Sequence, residues 1–356
     1  MKHQKATILD TTLRDGSYQI NFAFSSVDTA IICKLLEEAG VQYIEVGHGV
    51  GMNASKAGFG QAAQTDEEYM VAARKAISKA KYGMFCIPGI ARLEDLDIAA
   101  KHGMDFVRIG TNVDEIASSR KFIHKAKKLG MFVAANHMKS YALAPKEFAR
   151  NVKLSESYGA DLVYIVDSAG SMFPGEISEY VHAVRELTDI KLGFHAHDNL
   201  GMAVANSLIA IECGVEFVDG SLQGLGRSGG NAATELLVAT LLRKGVAIGI
   251  DLLKVIEAGH KHIHPILPMA GRMPLDTVAG FAAFHSSYMG HIRRFAAEYQ
   301  VDPAMLIIEV CKHDKINISE SILKRAAAKL KKKEDLYLST YGFNYYIGGE
   351  QDGRKK

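Results

Sequence analysis

Leu192-Gly193-Phe194-His195-Ala196-His197-Asp198-Asn199 is an apolar run that ends in two histidines. Residues 192–195 read as a buried strand, and the polar cluster marks its C-terminal end. An amphipathic stretch at 203–212 follows and closes on Cys213-Gly214, glycine being the preferred residue just past a helix. A second apolar run occupies 217–220. Strand, helix and strand in that order predict a parallel βαβ unit.

The same alternation runs back to the N-terminus. Strands are expected at 6–9, 43–46, 83–87, 106–109, 132–135 and 162–166. Helical patterns at 29–39, 67–80, 121–128, 145–158 and 174–188 fall between them, and 232–243 follows the eighth strand. Eight strands with seven intervening helices over roughly 240 residues predict a (β/α)8 TIM barrel. The expected domains are a catalytic barrel at 1–248 and a helical C-terminal extension at 249–335, packed on the barrel rim. A tail at 336–356 follows, its end disordered. Within the extension, 277–299, 303–310 and 319–330 read as helices. Lys329-Leu330-Lys331-Lys332-Lys333 reads as a solvated helix end, with a partner contact as the alternative.

The 356 residues are 48% hydrophobic and 23% charged, the balance of an ordinary globular protein. A net charge of +2 gives no general reason to expect nucleic acid or membrane partners. No apolar run approaches the roughly 20 residues needed to span a bilayer. Met1-Lys2-His3-Gln4-Lys5 leads straight into the first strand and does not read as a signal peptide. Cys33, Cys86, Cys213 and Cys311 are scattered, as in a reduced cytoplasmic protein.

In such a barrel the catalytic groups gather at the C-terminal ends of the strands. His195 and His197 are spaced i, i+2 and so point to one side of an extended chain. Asp15, at the end of the first strand, adds a hard oxygen. Two imidazoles and a carboxylate suit a divalent metal with open positions. Arg14 places a fixed positive charge beside it. Gly47-His48, Asn136-His137, Asp167-Ser168 and 224–231 reach the same rim. Two patterns compete with this reading. His260, His262 and His264 form a second alternating cluster, read as loop or interface residues. Gly224-Leu225-Gly226-Arg227-Ser228-Gly229 matches a dinucleotide fingerprint but follows the eighth strand, where a glycine-rich loop more often cradles an anion.

Together, Thr12-Leu13-Arg14-Asp15-Gly16, His195-Ala196-His197-Asp198-Asn199, Asp167-Ser168-Ala169-Gly170 and Gly224–Asn231 resemble the HMG-CoA lyase-like superfamily of metal-dependent enzymes. Residues 58–68, 157–159 and 204–207 are similar to the 4-hydroxy-2-oxovalerate aldolase family within it, and the likeness covers 8–330. That resemblance implies a class II aldolase, which reversibly cleaves a 4-hydroxy-2-oxo acid to pyruvate and an aldehyde through a pyruvate enolate. It implies Asp15, His195 and His197 as metal ligands, with Asn231 as an additional one. Arg14 would stabilise the enolate, and Ser168 would lie near the substrate carboxylate. The implied ion is Mn²⁺, with Mg²⁺ or Co²⁺ as alternatives. An acylating aldehyde dehydrogenase is the implied protein partner, in a hetero-complex or beside a homo-oligomer.

The chain departs from that family in one informative way. The family's base is a His three residues after the metal-binding Asp, where this chain has Tyr18. The family's Tyr in the C-terminal helices corresponds to His285 here. His suits general-base work near neutral pH better than Tyr at about 10. His285 is therefore a candidate base beside Tyr18, and a gating or packing role is its alternative. Asn136, His137 and Lys139 make the fifth strand end more polar than in those aldolases and are expected to contact the substrate, which implies a more polar aldehyde. Two other functions stay open on sequence grounds. One is an acyl-CoA-dependent Claisen condensing enzyme of the isopropylmalate or homocitrate synthase kind. The other is a catalytically altered barrel acting as a partner subunit.

Overall fold

The expected strands all form. In the computed structural model, which describes residues 5–267 and 274–332, they pair in sequence order and close into a parallel barrel. They are β1 (Thr7–Asp10), β2 (Tyr43–Glu45), β3 (Lys81–Cys86), β4 (Phe106–Asn112), β5 (Phe132–Met138), β6 (Leu162–Asp167), β7 (Lys191–Ala196) and β8 (Phe217–Gly220). β1 closes the barrel against β8, with Leu9 opposite Asp219. The floor is aromatic. Tyr43 lies 5.5 Å from Phe106 and 5.1 Å from Phe217, which stacks on Phe132. This plug leaves the opposite end of the barrel for polar groups.

Seven helices separate the strands: α1 (Ser26–Ala39), α2 (Asp66–Ala76), α3 (Leu93–Lys101), α4 (Arg120–Lys128), α5 (Pro145–Ser157), α6 (Pro174–Arg185) and α7 (Ala203–Glu212). Helix α8 (Thr234–Arg243) completes the ring. Local chemistry sets several starts. Ser25 and Asp28 form a capping box on α1, and Thr65 and Glu68 form one on α2. Helix α3 escapes periodicity because its nine residues are polar at Glu94, Asp95 and Asp97, and only Leu96 and Ala99 are buried.

The C-terminal part is helical, as expected, but its divisions differ. Helix α9 (Leu252–Ala258) runs into a wide turn at Gly259–Ile263, so the His260 cluster is helical rather than loop. Residues 277–299 form two helices, α10 (Pro274–Ala282) and α11 (Met289–Tyr299), instead of one. The break has a physical cause: Ala283 has a φ of 55°, and the His285 side chain accepts the backbone N–H of Ser287, capping a new turn. Helices α12 (Pro303–Cys311) and α13 (Glu320–Lys329) follow. Leu275, Phe284, Ile292, Phe295, Leu306 and Leu323 build their separate core.

Specific contacts seat this extension on the barrel. Lys139 Nζ donates to Ile316 O at 2.7 Å, Asn199 Nδ2 to Asp276 O at 2.9 Å, and Asn317 Nδ2 to Asp114 Oδ2 at 2.7 Å. The tail expected at 336–356 lies outside the described residues.

Candidate active site

Three buried charges on the strands meet one another: Glu45 on β2, Arg108 on β4 and Asp219 on β8. All three are fully buried, so each needs an opposite partner. Arg14 Nε donates to Glu45 Oε2 at 2.7 Å, and Arg108 Nη1 to the same oxygen at 3.1 Å. Arg108 Nη2 reaches Asp219 Oδ2 at 2.7 Å and Asn136 Oδ1 at 2.8 Å. Asp219 Oδ2 also faces His195 Nδ1 at 2.7 Å. Charges of alternating sign therefore run from the end of β1 to the end of β7.

That chain orients the next layer. Arg14 Nη1 holds Asp15 Oδ1 at 2.6 Å, and Asn231 Nδ2 holds Asp15 Oδ2 at 2.8 Å. Asp15, His195 and His197 are buried, and one ligand atom from each lies within 4.8 Å of the others. Among the described residues no other group of three has this geometry. His197 Nδ1 meets the carbonyl oxygen of Arg227 at 3.0 Å. A carbonyl only accepts, so Nδ1 carries the proton and Nε2 keeps a lone pair. The Asp219 carboxylate sets His195 in the same sense.

Charge states agree with a ligand role. Burial, partly opposed by Asp15, pushes His197 down to about 4, so its ring is neutral near neutral pH. Burial alone would raise Asp15, but Arg14, then His197 and His195, outweigh it and hold the carboxyl well below the usual range. Neutral imidazole and ionised carboxylate are the forms that bind a metal. A divalent ion fits these residues by donor chemistry. It also fits by one orphan: Asn231 Oδ1 is buried and has no hydrogen-bond partner among the described residues. Asn231 is bridged to His197 across the rim. A Cβ at Gly226 would sit 2.5 Å from the Asn231 side-chain carbon, so only glycine leaves room for that carboxamide.

The remaining expected residues divide. Asn136 faces Arg108 in the barrel interior. His137, one residue on, lies on the opposite face of β5. Its Nε2 meets Ser155 Oγ at 2.9 Å, and its ring packs edge-on against Phe148 of α5. The structure does not bring His137 to the rim, because strand alternation turns it toward the helix layer. Lys139, at a φ of 61°, gives its backbone N–H to Ser168 Oγ at 3.0 Å. Its ammonium is committed to the C-terminal extension, lying 5.1 Å from the Tyr288 ring centre.

Tyr18 and His285 both belong to this end of the barrel. Tyr18 is buried in a short turn at Asp15–Ile20, and burial, opposed by Arg227, raises its phenol to about 12. His285 is buried and feels Arg227, Lys139, His197 and Asp15. Burial first, then Arg227 and Lys139, drive its pKa well below the ordinary value. Its Nδ1 lies 2.6 Å from Ser287 Oγ and 3.2 Å from Ser287 N. Nε2 is thus the nitrogen left for a substrate, and the tautomer decides whether it gives or takes a hydrogen bond.

Sequence reading missed Glu45, Arg108, Asp219 and Arg227. The first three carried a usable signal, a lone charge inside an apolar strand. The rival patterns do not form sites. His260, His262 and His264 are exposed. The glycine-rich loop folds onto Asp15, His197 and Asn231, and α8 begins only at Thr234.

A family model described as HMGL-like matches residues 5–261. A 4-hydroxy-2-oxovalerate aldolase of Moorella thermoacetica is 40% identical over 336 residues, covering 94% of this chain and 99% of the relative. Another from Carboxydothermus hydrogenoformans is 37% identical over 332 residues, covering 92% and 98%. Among solved structures, the carboxyl transferase domain of Rhizobium etli pyruvate carboxylase superposes with a TM-score of 0.74 at 18% identity. It covers 92% of this chain and 60% of that one, a likeness of fold alone.

Proposed function

Because the chain belongs to the HMGL-like family, we propose that it is a carbon–carbon lyase, a divalent-metal-dependent class II aldolase. It reversibly cleaves a 4-hydroxy-2-oxo acid into pyruvate and an aldehyde. The observation that carries this reading is the buried Asp15–His195–His197 group with Arg14 against it.

Asp15, His195, His197 and Asn231 would hold the ion, Mn²⁺ in preference to Mg²⁺ or Co²⁺. When bound, it supplies Lewis-acid polarisation of the substrate's keto oxygen. Arg14 adds a rigid guanidinium where negative charge develops on that oxygen. Glu45 and Asp15 hold the guanidinium in place and outweigh burial, so Arg14 stays charged. Ser168, fixed by Lys139 N–H, lies near the substrate carboxylate. Proton transfer at the C4 hydroxyl falls to the Tyr18–His285 end. Base action at His285 Nε2 requires the tautomer that donates Nδ1–H to Ser287 Oγ in place of accepting the Ser287 backbone N–H, while Tyr18 keeps its proton near neutral pH.

We extend the proposal to a catalytic barrel at 1–248 with a rim-packed extension at 249–335, working in the cytoplasm as a homo-oligomer or hetero-complex. No helix among the described residues is long and apolar enough to cross a membrane. An acylating aldehyde dehydrogenase is the partner that would consume the aldehyde.

Incubation of the protein with Mn²⁺, pyruvate and a panel of aldehydes tests the reading, with products followed by mass. An aldol product together with exchange of pyruvate C3 protons into deuterated water is expected. Acyl-CoA consumption without any aldol product would instead support a Claisen condensing enzyme.

A further inference from the structure

Lys139, just past the end of β5, carries a fully buried ammonium. A charge taken out of water must be met by polar groups. The C-terminal extension supplies them. Lys139 Nζ donates to Ile316 O at 2.7 Å and lies 5.1 Å from the Tyr288 ring centre. The Tyr288 hydroxyl donates to the same carbonyl oxygen at 2.7 Å. Ile316 lies in the link between α12 and α13, and its own N–H is held by Asp314 Oδ1 at 2.7 Å. The shared acceptor is therefore itself fixed.

Tyr288 closes the turn that carries His285. Its backbone N–H donates to His285 O at 3.2 Å, and Ser286–Tyr288 form one short turn between α10 and α11. A single turn has little stability of its own, so contacts from outside decide where it sits. Lys139 also lies within electrostatic reach of His285. Its backbone points the other way in function. At a φ of 61°, which a residue with a side chain adopts only at a cost, its N–H holds Ser168 Oγ at 3.0 Å. One residue thus grips the serine assigned to the substrate carboxylate and the turn assigned to proton transfer.

We infer that Lys139 is a positioning residue: through Tyr288 and Ile316 O it sets the His285 turn relative to Ser168, and so places His285 against the C4 hydroxyl. The ammonium itself touches no reacting atom. The inference rests on the aldolase reading with His285 as its base. Replacing the side chain leaves the N–H to Ser168 in place, so pyruvate binding and enolate formation should survive.

The test uses the Mn²⁺-loaded full chain and two readouts: exchange of pyruvate C3 protons into deuterated water, and aldol formation with the fastest aldehyde of the panel above. Lys139→Met should lower kcat for aldol formation by about 10²-fold, the scale of a small misplacement of a catalytic group. C3 exchange, metal content and the aldehyde KM should stay nearly unchanged. Lys139→Arg, which keeps the charge and can still donate to Ile316 O, should restore most of the loss. Tyr288→Phe removes only a hydroxyl and should lower the same kcat more mildly. Asn317→Ala cuts an exposed contact that also seats the extension, and should change neither readout. Parallel loss of exchange and aldol formation in Lys139→Met overturns the inference. A raised aldehyde KM at unchanged kcat also overturns it, and makes Lys139 a substrate contact. The same loss in Asn317→Ala overturns it too, by reducing Lys139 to general seating of the extension. If Lys139→Met does not fold, Tyr288→Phe decides, and full aldol activity there overturns the inference. A wild-type protein with neither exchange nor aldol product overturns the aldolase reading itself. An active wild type with unaffected variants overturns this inference alone.

Discussion

His195 Nδ1 and Asp219 Oδ2 face each other at 2.7 Å inside the barrel, and the same carboxylate oxygen takes Arg108 Nη2 at 2.7 Å. One carboxylate on β8 therefore fixes the ring that β7 offers to a metal. Asp219→Asn keeps the shape but loses the charge. Metal affinity should fall about 10- to 100-fold, as for other partners of ligating histidines. Asp15→Asn should strip the ion outright. Competition with a chelator measures the first and elemental analysis the second. Unchanged affinity in Asp219→Asn would show that the His195 orientation is held by something else.

Arg14 is gripped by Asp15 at 2.6 Å and Glu45 at 2.7 Å. Lysine cannot satisfy both carboxylates and an enolate oxygen at once. Arg14→Lys should lower kcat by about 10²-fold, the scale of one lost oxyanion donor. Deuterium exchange at pyruvate C3 should slow in parallel. Exchange at the wild-type rate would remove Arg14 from the enolate step.

His285 and Tyr18 can be separated by their reactions. His285→Ala should abolish carbon–carbon cleavage while metal content and much of the pyruvate exchange persist. Tyr18→Phe should be milder, since a phenol near 12 is a poor base at neutral pH. Tyr18→His combined with His285→Tyr should retain more activity than either single change. Simple additivity in that double variant would mean the two side chains do not share the substrate.

His137 gives a prediction on stability. Burial pushes it down to about 3, below the 6.5 of an ordinary histidine. The unfolded chain therefore takes up this proton first, and stability falls as pH drops below about 6.5. The cost is at most about 1.4 kcal/mol per pH unit within that window. His137→Gln can still bond Ser155 but does not titrate. The stability gap between wild type and variant should narrow from pH 7 to pH 5. Urea midpoints that stay parallel would contradict this.

The barrel was legible because each strand is an apolar run and each connection ends in a readable signal, such as Cys213-Gly214. Asp15, His195 and His197 were legible because strand ends converge on one rim. His137 was misplaced because its polarity outweighed the alternation with Asn136, which turns it outward. The break at Ala283–His285 was hidden because the capping acceptor is an imidazole, a residue type with no standing as a helix start signal. Arg227 was invisible as a site residue, since its position depends on how the loop folds back onto Asp15.

The charge chain that starts at Arg14, just past β1, runs through Glu45, Arg108 and Asp219 to His195, and these last four are anchored in strands. A metal centre of this kind could not be transplanted by exchanging rim loops alone, because the groups that orient Arg14 and His195, namely Glu45, Arg108 and Asp219, lie inside the barrel wall.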